Sequence, residues 1–222
     1  MKKQMAAVML AGLVSYAQAE EQTSAPASKD EQASITFKTD MLGKYVYRGF
    51  ALSNGPVIQQ TTTISKGGFS ANWFTNVEKR NGGINEHDFT VSYYSPIDKN
   101  TSAAFGYTAY TFRHIPSTEI RELYGSISLD QGLKPYLLLS QSYRPGRGTY
   151  MELGISPPLL VGNKTITLEA ALSHNNHYLR EGRGWSHARV GLSIAIPSTE
   201  QITLIPQIVY QKPLSAGFQK EF

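Results

Sequence analysis

The sequence predicts an all-β protein, an antiparallel transmembrane up-and-down β-barrel of about 12 strands whose last strand is short or missing. Three observations carry that expectation. Apolar and polar residues alternate with a period of two from Ser34 onward, which makes strands with two unlike faces. The alternating segments run roughly 9 to 14 residues, the length a tilted membrane-crossing strand needs, whereas ordinary strands average about 5 or 6. Short and long connections take turns, as in a barrel whose short turns face the periplasm.

The chain ahead of the alternation divides in two. Residues 1–19 read as a secretory signal: Lys2 and Lys3 give a positive start, Met5 to Val14 an apolar stretch, and Ala17-Gln18-Ala19 a small-x-small cleavage site. So short an apolar run does not cross roughly 30 Å of hydrocarbon as a helix. Residues 20–33, EEQTSAPASKDEQA, are polar and aperiodic, a composition that cannot bury enough surface to order itself, and are expected to form a flexible periplasmic tail. The barrel is expected over 34–222.

Eleven alternating segments follow, at roughly 34 to 50, 56 to 66, 69 to 79, 86 to 96, 101 to 114, 118 to 130, 134 to 145, 149 to 157, 164 to 175, 185 to 197 and 201 to 211. In the first, Ile35, Phe37, Met41, Tyr45 and Tyr47 share an apolar face, opposite Lys38, Asp40, Lys44 and Arg48. In the third, Phe69, Ala71, Trp73 and Val77 oppose Ser70, Asn72, Asn76 and Glu78, and comparable patterns recur at Met151–Ser156, Ile166–Ser173 and Arg189–Ile196. The segments at 56 to 66 and 134 to 145 have no unambiguous face, because Gln59, Gln60 and three Thr adjoin in one and Leu137, Leu138 and Leu139 in the other. Tight turns are expected at Lys66-Gly67-Gly68, Ile97 to Asn100, Asp130-Gln131-Gly132 and Pro197 to Thr199, and long loops at Ala51 to Gly55, Arg80 to Asn85, Pro145 to Gly148 and Asn175 to Gly184. An even strand number calls for a twelfth strand after Pro213, for which Leu214 to Phe222 leaves little chain, and a sequence stopping short of its natural end is the favoured account.

A soluble β-sandwich or lipocalin-like barrel also alternates. Aromatic placement separates the two, since Tyr and Trp collect at the ends of membrane strands, at headgroup level. Tyr45, Tyr47, Tyr107, Tyr110, Phe112, Tyr143, Tyr150, Tyr178 and Trp185 fall at such ends, which favours the membrane.

Other classes recede. A mean hydropathy of −0.29 and no run of 18 apolar residues leave no helical membrane span. The formal charge of +4, or +2 with Lys2 and Lys3 set aside, comes without a basic run, so nucleic acid is not an expected partner. There is no Cys for a lipid anchor or a disulfide. No Walker loop, dinucleotide fingerprint or paired carboxylates appear, and no cofactor, metal or catalytic residue is expected. His174, His177 and His187 lack a metal-ligand spacing, and Arg180, Arg183 and Arg189 read as a surface cluster facing lipopolysaccharide. For lipid hydrolysis the candidate pairs are His114 with Ser117, His174 with Ser173, and Ser186 with His187. The last two are adjacent on strands and point to opposite faces, which makes them poor pairs.

Asp40 to Gln59, DMLGKYVYRGFALSNGPVIQ, together with EIRELY at Glu119 to Tyr124 and YMELGI at Tyr150 to Ile155, resembles the TorF-like porin family of proteobacteria. The likeness covers most of the chain after the signal; its most specific part is Tyr45-Val46-Tyr47-Arg48-Gly49 followed by Asn54-Gly55-Pro56. It implies an outer-membrane barrel of porin type without catalytic residues. The expected function is passive diffusion of small hydrophilic solutes through a lumen lined by Lys38, Asp40, Lys44, Arg48, Glu78, Glu122, Glu152, Glu169 and Arg189. Arg48 carries two readings: a charge presented to solutes, or a structural Arg paired with an inward acid such as Glu78 or Glu122, the latter favoured. Expected partners are outer-membrane lipid, lipopolysaccharide, the solutes and the barrel-assembly machinery. The rival expectations are a lipid-modifying hydrolase and a structural or adhesive barrel with no open pore.

Overall fold

A computed structural model describes residues 7–12, 16–18, 32–78, 83–113, 119–144, 147–178 and 182–215, with backbone only for 7–12 and 16–18. Eleven antiparallel strands follow one another as a meander: β1 Ser34–Leu42, β2 Val57–Lys66, β3 Phe69–Glu78, β4 Gly83–Pro96, β5 Thr101–Phe112, β6 Glu119–Leu129, β7 Pro135–Arg144, β8 Gly148–Ile155, β9 Lys164–Asn176, β10 Arg183–Ile194 and β11 Gln207–Pro213. Each pairs with the next. Short pieces extend two hairpins, Pro158–Val161 on β9 and Ile196–Pro197 on Ile202–Leu204, just ahead of β11. Among the described residues no pairing joins β1 to β11 or to Ile202–Leu204, so the sheet is not closed into a barrel; Ala7–Gly12 lies parallel to both edges. The expected twelfth strand after Pro213 falls largely outside the described residues, as do most of the signal and tail.

The sheet is inside out. Polar side chains outnumber apolar ones among its buried residues, whereas Phe69, Trp73, Phe105, Leu153, Leu172 and Val190 are exposed. Soluble folds do the reverse. On β3 the pattern alternates strictly, with Ser70, Asn72, Phe74 and Asn76 buried and Phe69 and Trp73 exposed. The two strands left ambiguous by sequence follow suit: Gln59 faces in and Ile58 and Ile64 face out on β2, while Leu138, Ser140 and Ser142 face in and Leu139 and Tyr143 out on β7. Contiguous Leu137, Leu138 and Leu139 hid the period because one leucine is spent on the interior.

Two glycines keep that interior roomy. Gly106 on β5 and Gly154 on β8 sit opposite Tyr124 and Tyr136, whose rings lie across them; a Cβ at Gly106 would come within 2.6 Å of the Tyr124 ring. The rings therefore line the wall instead of projecting to the centre.

The first segment departs from expectation. The strand ends at Leu42 and bends at Gly43; Lys44–Tyr47 then pairs with Phe50–Ala51 across a two-residue Arg48-Gly49 turn with φ of 48° and 84°. Two positive φ values make the turn that suits hairpin twist, and Gly tolerates the second at no steric cost. Tyr45 through Phe50 are all buried, so both faces of this hairpin are covered. Tyr45 and Tyr47 thus do not continue an outward face, and Arg48 reaches the interior from a turn, not from the register of Lys38, Asp40 and Lys44.

Candidate functional site

The hairpin lies inside the curve of the sheet and is tied to it from several sides. The Leu52 backbone N–H donates to Tyr45 O at 2.9 Å, and Ser53 Oγ accepts from Tyr45 N at 2.8 Å, fixing the return chain. Tyr45 OH donates to Glu86 on β4 at 3.3 Å, and the Tyr47 and Tyr110 hydroxyls lie 2.7 Å apart. Arg48 makes two parallel bonds to Glu122 on β6, at 2.8 and 3.0 Å, and a third to Ser140 on β7 at 2.8 Å. Its guanidinium stacks 4.6 to 4.9 Å from the Tyr178, Tyr150 and Tyr47 rings. Tyr110 and Tyr178 also donate to Glu122. Arg48 and Glu122 are each 1% exposed, so a bidentate, fully enclosed pair holds the hairpin tip. On the far side Gly49 abuts His187 on β10, where a Cβ would lie 2.7 Å from Nδ1. Burial holds the phenols of Tyr45, Tyr47 and Tyr178 above their ordinary value, so each remains a donor.

A second network fills the wall at β8 to β10. Arg189 pairs with Glu152 at 2.6 Å and Glu169 at 2.7 Å, and Tyr136 donates to both acids. Glu152 also accepts from Tyr150 and Ser173 at 2.7 and 3.0 Å. Ser173 Oγ lies 3.3 Å from His187 Nε2, and Ser186 Oγ 3.2 Å from His187 Nδ1. Both contacts exist because β10 carries an extra residue: Ser173 pairs with His187 and His174 with Trp185, leaving Ser186 as a bulge. Ser186 and His187 are consequently both buried, against the expectation that neighbours face apart, and Ser173 meets His187 across strands rather than His174 along one. The contact resembles a nucleophile and base, yet Nδ1 faces a hydroxyl where an orienting acid is usual, and Ser173 and His187 have zero exposure.

Below the hairpin a cavity of about 540 Å³ runs to the short-turn rim, lined from Tyr47, Arg48 and Asp88 down to Asp130, Lys134 and Ser193.

The residues proposed from sequence are distributed as follows. Lys38 and Asp40 face the same side of β1 and pair at 3.2 Å. Arg48, Glu122, Glu152, Glu169 and Arg189 make the two networks above. Lys44 starts the hairpin and Glu78 ends β3, both half-buried. Arg189 is therefore not part of a surface cluster; Arg183 is exposed, and Arg180 lies outside the described residues, as do His114 and Ser117. Of the nine aromatic residues placed at strand ends, Tyr143 and Trp185 are exposed on the outer wall, whereas Tyr45, Tyr47, Tyr110, Tyr150 and Tyr178 point into the interior, because their hydroxyls need partners that the polar side supplies. Glu86, Asp88 and the Ser173–His187 contact were missed; Glu86 and Asp88 alternate with Phe89 and Val91, a signal that was present in the sequence. Among the described residues no group of His, Cys, Asp and Glu could hold a metal ion.

Compared with known proteins, the chain matches no family model, no curated protein and no solved structure.

Proposed function

We propose that this chain is an outer-membrane β-barrel of the TorF-like porin kind, in which small hydrophilic solutes diffuse through a mixed-charge lumen narrowed by the Lys44–Ala51 hairpin. The observation that carries the reading is the inverted sheet, with ion pairs and amides enclosed and Phe69, Trp73, Phe105, Leu172 and Val190 on the outside. Soluble proteins rarely expose a continuous apolar surface of more than a few hundred Å², whereas a bilayer requires one. Toward its loop side the outer wall becomes mixed: in register, Thr39, Gln60, Thr75, His87, Thr111 and Glu119 form a polar row, and the apolar Met41, Ile58, Val77 and Ile84 form the next row toward the loops. Such a mixed zone fits the approach to the headgroup boundary, where lipopolysaccharide would surround the wall. In this reading the two edges flanking Ala7–Gly12 are joined in the membrane by one further strand, giving about 12, since an unpaired edge in lipid costs several kcal/mol per backbone group. Export by a cleaved signal and insertion by the barrel-assembly machinery complete the reading.

Purified protein in planar bilayers tests it. Small, discrete conductance steps are expected; silence under every voltage and salt condition would remove the channel function. The Ser173–His187 contact favours a second reading, a lipid hydrolase. Hydrolysis of phospholipid or lipopolysaccharide acyl chains that disappears in Ser173→Ala and His187→Ala would select it.

A further inference from the structure

We infer that the lumen passes cations in preference to anions, and that Glu86 and Asp88 on β4 set the preference. The inference rests on the channel reading above and names the solute class for it.

The argument is a balance of interior charges. The cations that line the cavity are all engaged: Arg48 by Glu122, Arg189 by Glu152 and Glu169, and Lys134 by Asp130 at 2.5 Å. Lys38, farther along the wall, is engaged by Asp40. Glu86 and Asp88 stand apart. They lie two residues from each other on one face of β4, 2% and 5% exposed, and neither has an ion pair among the described residues. Glu86 accepts from the Tyr45 hydroxyl and Asp88 from the Thr111 backbone N–H, both at 3.3 Å. The groups around them bring no compensating charge. Phe74 and Asn76 on β3 and Tyr110 and Phe112 on β5 are their neighbours in register, Tyr45 comes from the hairpin, and Glu122, a further carboxylate within electrostatic reach of Asp88, is already bound to Arg48.

Asp88 also lines the cavity, and there acids exceed bases by two: Asp88, Glu122, Asp130, Glu152 and Glu169 against Arg48, Lys134 and Arg189. Tyr45, Tyr94 and Tyr110 share the lining, and the face of an aromatic ring attracts cations rather than anions. A cation moving toward the hairpin therefore meets carboxylates without a competing cation, and an anion meets only cations already bound. Rings of acidic side chains make cation selectivity in other pores by the same electrostatics.

The test is the reversal potential of full-length protein in a planar bilayer under a KCl gradient, at a pH of about 9.5, above the range to which burial and a neighbouring carboxylate can raise a carboxyl group. Wild type is expected to reverse on the cation side. Asp88→Asn and Glu86→Gln, which keep shape and remove buried charge, should each lower the K⁺ to Cl⁻ permeability ratio by about 16-fold, because one charge about 5 Å away in a water-like dielectric changes the Boltzmann weights of K⁺ and of Cl⁻ by about fourfold each, in opposite directions. Glu119→Gln removes an acid from the outer wall, where it is 43% exposed and paired with Arg121, and should leave the ratio unchanged. A wild-type pore that is unselective or prefers anions, or neutralised variants as selective as wild type, would overturn the assignment. A wild type that never conducts strikes the channel reading instead, and the selectivity claim falls with it.

Discussion

Replacing Arg48 by methionine keeps most of the side-chain volume and removes the charge that fastens the hairpin. The loss is large because of where the pair sits. Arg48 gives two bonds to Glu122 and one to Ser140, stacks on three tyrosine rings, and is 1% exposed, as is Glu122. Removing one member of a buried pair strands the other, at about 3–5 kcal/mol. Tyr110 and Tyr178 still donate to Glu122, which places the expectation at the low end, about 3 kcal/mol. At roughly 1.4 kcal/mol per decade, the balance between a docked and a displaced hairpin moves about 100-fold. Single-channel recording reads this as a rise of that order in the open-to-closed ratio, and thermal unfolding followed by circular dichroism reads the lost stability. Arg48→Met combined with Glu122→Gln leaves no stranded charge and should recover about 2 kcal/mol of the loss, as the coupling of a cycle between touching residues. Conductance and stability unchanged in Arg48→Met, within about 0.5 kcal/mol of wild type, would refute the latch.

Other expectations concern the wall, the turn and the rim. Leu172 is 47% exposed on the outer face of β9. In water Leu172→Arg would be close to neutral, but in lipid it should cost about 2–4 kcal/mol, measured by reversible unfolding from vesicles; a neutral result there would mean the outer wall does not meet hydrocarbon. Gly49→Ala combines a φ of 84° with a Cβ 2.7 Å from His187 Nδ1, so a loss of about 1–2 kcal/mol is expected in denaturant titration, and an unaltered midpoint would contradict the close approach. Asp98, in the turn between β4 and β5, accepts from the Asn100 and Thr101 backbone N–H groups at 2.8 Å each, and these bonds hold its carboxyl below the usual range. A depressed folded value means the turn is fully supported above the unfolded carboxyl value and loses that support as pH falls through the lower folded one. Hydrogen exchange at Asn100 and Thr101 should report a midpoint below the ordinary carboxylate value, and an ordinary midpoint would exclude these bonds.

What the sequence alone determined is the set of strands and the opposite character of their faces. A pleat reverses at every residue, so alternation such as Phe69-Ser70-Ala71-Asn72-Trp73 reports strand and face together, and each of the eleven segments contains a strand of the sheet, the first also taking in the Lys44–Ala51 hairpin and the last the separate piece Ile202–Leu204. Local pattern could not tell which residues near Gly43 leave the sheet, because Lys44 to Tyr47 alternates equally well as wall or as hairpin. The choice came from partners distant in sequence: Glu86, Tyr110, Glu122 and Ser140 await Tyr45, Tyr47 and Arg48 across the interior. The Ser173–His187 contact is likewise invisible along the chain, since it depends on the cross-strand register set by the Ser186 bulge. Alternation is a property of neighbours in sequence, whereas ion pairing inside a curved sheet is a property of neighbours in space, and only the tertiary structure brings those charges together.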